Sequence, residues 1–80
     1  MRLPRDLSGE DLAARLTRLG YRITRQTGSH LRLTTERDGE HHITIPRHST
    51  LRVGTLSGVI SDLAQHHHLD RDALLTLLLS

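Results

Sequence analysis

The hydrophobic period of this chain changes twice, and that constrains its fold more than any other feature. Leu12, Leu16 and Leu19 recur at i, i+4 and i+7, which is one stripe of a helix. From Tyr21 the period drops to two. Tyr21, Ile23 and Arg25 alternate with Arg22, Thr24 and Gln26, then Leu31 and Leu33 with His30, Arg32 and Thr34, then Ile43 and Ile45 with His42 and Thr44. Helical spacing returns at Leu56, Val59, Ile60, Leu63 and Ala64. Eighty residues are too few for two independent cores, so the order α-β-β-β-α predicts one α+β domain over residues 1–80.

Punctuation between these segments sets the expected boundaries. Ser8 before Glu10 and Asp11 reads as an N-cap, and Gly20 supplies the left-handed stop, giving a first helix over 9–19. Thr27-Gly28-Ser29 is a short turn, Asp38-Gly39 carries a hairpin signal, and Pro46 ends the third strand. Residues 47–54 form a loop, Thr55 is a candidate cap for a helix over 56–67, and Asp70 caps a short segment from Leu74 to Leu79. The strands make an antiparallel meander with Ile23, Leu31, Leu33, Ile43 and Ile45 on one face. Thr24, His30, Arg32, Thr34, His42 and Thr44 lie on the other. Two amphipathic helices cover the apolar face and leave the polar one for a ligand.

Composition removes several functions. Without cysteine there is no thiol nucleophile, disulfide scaffold, iron-sulfur cluster or cysteine-containing zinc site. Tyr21 is the only aromatic residue, which disfavours sheets that read RNA by aromatic stacking. The start, Met1-Arg2-Leu3-Pro4-Arg5-Asp6, lacks the apolar stretch of a signal peptide, and no apolar run approaches a membrane span, so a soluble cytoplasmic protein without a membrane partner is expected. All eleven basic residues are Arg, a bias that nucleotide composition explains. Residues 1–54 hold ten of them against six acids, so this part is the candidate polyanion face. Arginine forks suit RNA or DNA phosphate and an acidic protein equally well.

Seven histidines are the remaining chemical resource. His66, His67 and His68 lie about 100 degrees apart around a helix and cannot converge on one metal, so they read as a solvated helix end. His41 and His42 point to opposite sides of a strand and read as surface residues. His30 opens a strand directly after Gly28-Ser29, on the polar face with Arg32. Two readings stay open there. His30 can be a general acid or base with the glycine backbone close to a phosphate, or a plain strand histidine after a turn glycine.

Five blocks carry a resemblance to a known family. Leu3-Pro4-Arg5-Asp6-Leu7-Ser8-Gly9-Glu10-Asp11-Leu12, Leu19-Gly20-Tyr21, Arg25-Gln26-Thr27-Gly28-Ser29-His30-Leu31-Arg32-Leu33, His41-His42-Ile43-Thr44-Ile45-Pro46-Arg47-His48 and Leu51-Arg52-Val53-Gly54-Thr55-Leu56 occur in the order seen in HicA toxins of bacterial HicA-HicB toxin-antitoxin systems. The chain resembles that family over about residues 3–75. The resemblance implies a double-stranded-RNA-binding-like fold and an mRNA interferase, an endoribonuclease held inactive by a HicB-type antitoxin. It also implies that His30 is catalytic and that Gly28 belongs to the same block. The family often has Lys where this chain has Arg, and the triple histidine is not part of its pattern.

A mechanism follows on that footing. No carboxylate pair or metal-spaced cluster appears, so no metal or other cofactor is expected. His30 helps deprotonate a ribose 2′-hydroxyl, which makes DNA inert. Arg25, Arg32 and Arg47, with the Gly28 and Ser29 backbone, are candidates for RNA binding, and each arginine is equally a candidate for a surface ion pair. The acid for the leaving oxygen is unassigned, with His42 and His48 as candidates. A non-catalytic RNA-binding module and an acidic-protein-binding domain are the competing classes.

Overall fold

The computed structural model describes residues 3–79; Met1, Arg2 and Ser80, the ends of the expected 1–80 domain, lie outside the described residues. Its elements are α1 (Gly9–Arg15), a 3-10 turn (Leu16–Leu19), β1 (Arg22–Gln26), β2 (His30–Thr35), β3 (His41–Pro46), α2 (Val53–His67) and α3 (Arg71–Leu79). The strands form one antiparallel sheet in the order β1-β2-β3. The α+β class and the α-β-β-β-α order expected from the hydrophobic period are therefore observed.

The first helix begins where Ser8 predicts, because the Ser8 hydroxyl accepts from the Asp11 amide at 3.0 Å. Its last turn tightens to 3-10 form, and Gly20 ends it at φ 80°. Leu12, Leu16 and Leu19 are all buried by this geometry, each worth about 1.5–3 kcal/mol of transfer free energy. They pack with Leu31, Leu33, Ile43 and Ile45 from the sheet and with Leu56, Ile60, Leu63, Leu74 and Leu78 from the later helices. Arg15 and Arg18 donate to the Leu77 and Leu78 carbonyls at 2.9–3.1 Å. They thus satisfy the carbonyl end of α3, where the helix dipole favours a cation.

Three expectations change. The second helix starts at Val53 rather than 56, with Arg52 extended before it and the Leu56 amide bonded to the Arg52 carbonyl at 2.9 Å. Leu51 is buried in the core, so the chain enters the helix at once and Thr55 is no cap. Ile23 pairs with Leu33 yet is 49% exposed, because β1 is an edge strand that the helices do not cover. The strict alternation of β1 also fails. Ile23 pairs with Leu33 and Arg25 with Arg32, so a bulge falls at Thr24 and carries Arg25 to the polar face.

The histidines depart further from expectation. His67 is buried and His66 half-buried, so of the expected solvated trio only His68, at φ 56° as the helix C-cap, is exposed. His41 is half-buried as well. The Tyr21 hydroxyl lies 2.6 Å from His41 Nδ1 and 3.0 Å from His67 Nε2. His41 Nε2 donates to Asp62 at 3.2 Å, and His67 Nδ1 donates to Asp38 at 3.0 Å. His66 stacks on His41 at 4.3 Å and donates from Nε2 to the Arg37 and Gly39 carbonyls. This network fastens α2 to the Asp38-Gly39 hairpin, where both residues have positive φ. Burial, with Asp62 adding to it, pushes the Tyr21 hydroxyl far above the usual phenol range. The His67 bond holds the Asp38 carboxyl below its usual range, so its contribution is present above that range and lost as pH falls through the lowered value.

Two stability predictions follow from this packing. Tyr21→Phe leaves two ring nitrogens without their shared hydroxyl and lowers stability by about 1–3 kcal/mol in urea denaturation at neutral pH; an unchanged midpoint refutes the network. A Cβ on Gly9 meets the Pro46 carbonyl, whereas one on Gly58 meets nothing within 4 Å. Gly9→Ala therefore costs about 1–3 kcal/mol, and Gly58→Ala, inside α2, gains about 0.5–1 kcal/mol. Thermal unfolding should show the two shifts with opposite sign.

Candidate functional site

His30 is the first residue of β2, and the turn before it is built by Thr27. The Thr27 hydroxyl accepts from the amides of Ser29 at 3.3 Å and His30 at 2.9 Å, while the Thr27 amide donates to the His30 carbonyl at 2.9 Å. This is the hydroxyl-capped turn that threonine favours, at the position where Thr27-Gly28-Ser29 predicts a turn. The Ser29 hydroxyl sits 2.9 Å from His30 Nδ1. Nε2 has no such contact among the described residues.

Arg47 clamps the turn from the end of β3. Its amide donates to the Ser29 carbonyl at 2.8 Å and its guanidinium to the Thr27 carbonyl at 2.8 Å. The same guanidinium is held by Glu10 of α1 at 2.8 Å. A helix, a strand end and the turn thus meet on one side chain. Nothing in the sequence links Glu10 to Arg47, since the pair is created by the crossing of α1 over Pro46.

Gly28 faces open space, and its φ is not in the left-handed region. Neither packing nor backbone conformation requires glycine there. What its missing side chain leaves is room beside His30.

A cavity of about 210 Å³ is lined by Arg25, Thr27, His30, Arg32 and Thr44. It unites two arginines and the histidine on the solvent-facing side of the sheet. Arg25 reaches this face only through the bulge at Thr24. Other arginines are spent on structure: Arg15 and Arg18 on α3, Arg37 on the Arg18 carbonyl, Arg71 on Ser57 and Ser61. Arg25 and Arg32 make no side-chain hydrogen bond among the described residues and are open to an anion.

The two histidines considered as partners of His30 lie elsewhere. His42 pairs with Thr34, four strand positions and about 13 Å from His30. That is too far to act on the same phosphate. His48 is exposed beyond β3 and does not line the cavity. A cavity of about 590 Å³, mostly apolar, lies on the opposite face between α1 and β1, with Ala13, Ala14, Ile23 and Leu33 in its wall. Its rim also includes Glu10, Arg22 and Arg47, but not His30, Arg25 or Arg32. Among the described residues no group of three His, Asp or Glu is arranged to hold a metal ion, and no helix is long and apolar enough to cross a membrane.

The clamp makes a local prediction. Arg47→Ala removes the guanidinium link between Glu10 and the Thr27 carbonyl while keeping the backbone bond to Ser29, lowers stability by about 1 kcal/mol, and speeds amide exchange at Thr27, Ser29 and His30 more than in the centre of β2. Uniform exchange across β2 would show that Arg47 does not hold the turn.

Comparison with known proteins bears on the whole arrangement. Among curated proteins and solved structures, none matches the chain. The family of HicA toxins of bacterial toxin-antitoxin systems matches residues 9–65, a span running from the first residue of α1 through the three strands and most of α2. That span holds Glu10, the Thr27 turn, His30, both cavity arginines and Arg47, and on this match the chain belongs to the HicA toxin family, as a toxin whose system includes an antitoxin.

Proposed function

We propose that this toxin is a metal-independent endoribonuclease that cleaves mRNA in the cytoplasm through His30 and is neutralised by a HicB-type antitoxin, the activity residing in one domain. The observation that carries this reading is the cavity in which His30 stands beside Arg25 and Arg32 on an exposed polar face. In a chain that belongs to a toxin family, a titratable ring next to two open guanidinium groups suits attack on a phosphodiester.

The chemistry needs one proton removed and one delivered. Nε2 of His30 takes the proton of a ribose 2′-hydroxyl while Nδ1–H donates to the Ser29 hydroxyl, the tautomer this step requires and one that the 2.9 Å contact accommodates. The 2′-oxygen bonds to the adjacent phosphorus, the bond to the 5′-oxygen breaks as that oxygen takes a proton from solvent water, and a 2′,3′-cyclic phosphate and a 5′-hydroxyl end result, the proton on His30 returning to solvent. Arg25 and Arg32 neutralise charge on the phosphorane. Gly28 and Ser29 let the strand approach the turn, and Arg47 supports binding by keeping that turn in place. DNA, without a 2′-hydroxyl, is not cut.

The test is cleavage of a long single-stranded RNA in EDTA by wild type and by His30→Ala, both shown to be folded by circular dichroism. Wild type should cut, and the variant should be slower by about a hundredfold or more, as for loss of a general base. The matching DNA strand should remain intact. Equal cutting by His30→Ala refutes the mechanism. Salt-sensitive RNA binding without product would make the chain a non-catalytic RNA-binding module.

A further inference from the structure

We propose that the polar sheet face carries a second subsite, one that takes a nucleobase next to the scissile phosphate; this rests on the ribonuclease reading of the His30 cavity. A cavity of about 380 Å³ lies on the same face and shares Arg25 and Arg32 with the His30 cavity. Its remaining wall is Arg22, Thr24, Thr34, Glu36, Glu40 and His42.

The two cavities differ in chemistry. The His30 cavity has no acid in its wall, as a phosphate site requires. The second one has Glu36 and Glu40 in its wall together with its arginines. Two carboxylates repel a further phosphate, whereas a neutral planar group with both donors and acceptors on its edges satisfies both charges. A nucleobase is such a group.

His42 supplies the surface on which a base rests. Its Nδ1 is bonded to the Thr34 hydroxyl at 2.8 Å and its Nε2 to Glu40 at 3.0 Å, so both polar positions of the ring are occupied. The side chain is nevertheless 41% exposed. What it offers a ligand is therefore the ring face, and histidine and arginine planes are accepted stacking partners for unpaired bases. Thr24 bonds Thr34 at 3.1 Å and holds the far side of this chain of contacts rigid.

Spacing supports the assignment. The second cavity is displaced along β2 by two residues, from His30 and Arg32 to Arg32 and Thr34, which is about 7 Å. That length is comparable with one nucleotide step of an extended single strand. With the scissile phosphate between Arg25 and Arg32, the neighbouring base reaches His42.

The experiment measures binding at one fixed salt concentration, with uncleavable probes. A 2′-O-methyl RNA tetranucleotide is compared with the same strand made abasic at its first and last positions, so that the phosphates are equal in number and their electrostatic contribution cancels. Wild type should bind the abasic strand about tenfold more weakly, the size of one lost base stack. In Arg22→Ala and His42→Ala that ratio should fall to about twofold or less, while His42→Phe, which keeps a ring face without the nitrogens, should retain it. Equal binding of the two strands by wild type, or a full penalty persisting in both alanine variants, overturns the subsite. Cleavage in EDTA decides the nuclease reading separately: wild type that cuts RNA but shows no abasic penalty loses only the subsite, and wild type that neither cuts RNA nor binds either strand loses both.

Discussion

Leu31, Leu33, Ile43 and Ile45 are buried beneath the helices, and strand alternation passes that burial on to every residue between them. Once these four side chains point inward, His30, Arg32, Thr44 and His42 must point outward. The core therefore sets the functional face without touching it. A slip of one residue in the β2-β3 register would bury Arg32 and expose Leu33, a cost no small core could bear. The polar face inherits the backbone register of the apolar one because the two are the same strands.

Edge strand β1 obeys a looser rule. With a partner on only one side, it tolerates an extra residue at Thr24, and that bulge brings Arg25 level with Arg32. Had β1 kept strict alternation, Arg25 would share a face with Ile23 and the His30 cavity would have a single guanidinium. Arg47 performs a comparable service from the other side of the sheet, joining Glu10 to the Thr27 carbonyl. The turn holding His30 is thus anchored to α1 and β3, and its geometry depends on the whole fold rather than on the tripeptide that forms it.

Arginine and histidine divide between structure and site in a way that position alone does not disclose. Arg15 and Arg18 sit on the polar side of an amphipathic stripe, as solvated residues would, yet they terminate α3. His66 and His67 sit at a helix end, where exposure is the ordinary outcome. They are instead drawn against Tyr21, Asp38 and the hairpin because α2 ends beside β3. Each misplacement has one origin: the partner is distant in sequence. The nearest hydrogen bond in this group spans 27 residues and the farthest 63.

Local rules, by contrast, are legible in the sequence. The period change from 3.6 to 2 and back specifies the element order, Ser8 and Gly20 bound the first helix, and Asp38-Gly39 marks the hairpin, since each is written within a few consecutive residues. Position of His30 on the open face follows from the same alternation, and its block carried the family resemblance that the match over residues 9–65 bears out. Tertiary structure alone decided the rest: the bulge that turns Arg25 outward, the Glu10–Arg47 clamp, the exposure of Ile23 and the buried histidines around Tyr21. Secondary structure is decided by neighbours along the chain, whereas register defects, edge exposure and side-chain partners arise only when separate elements come into contact.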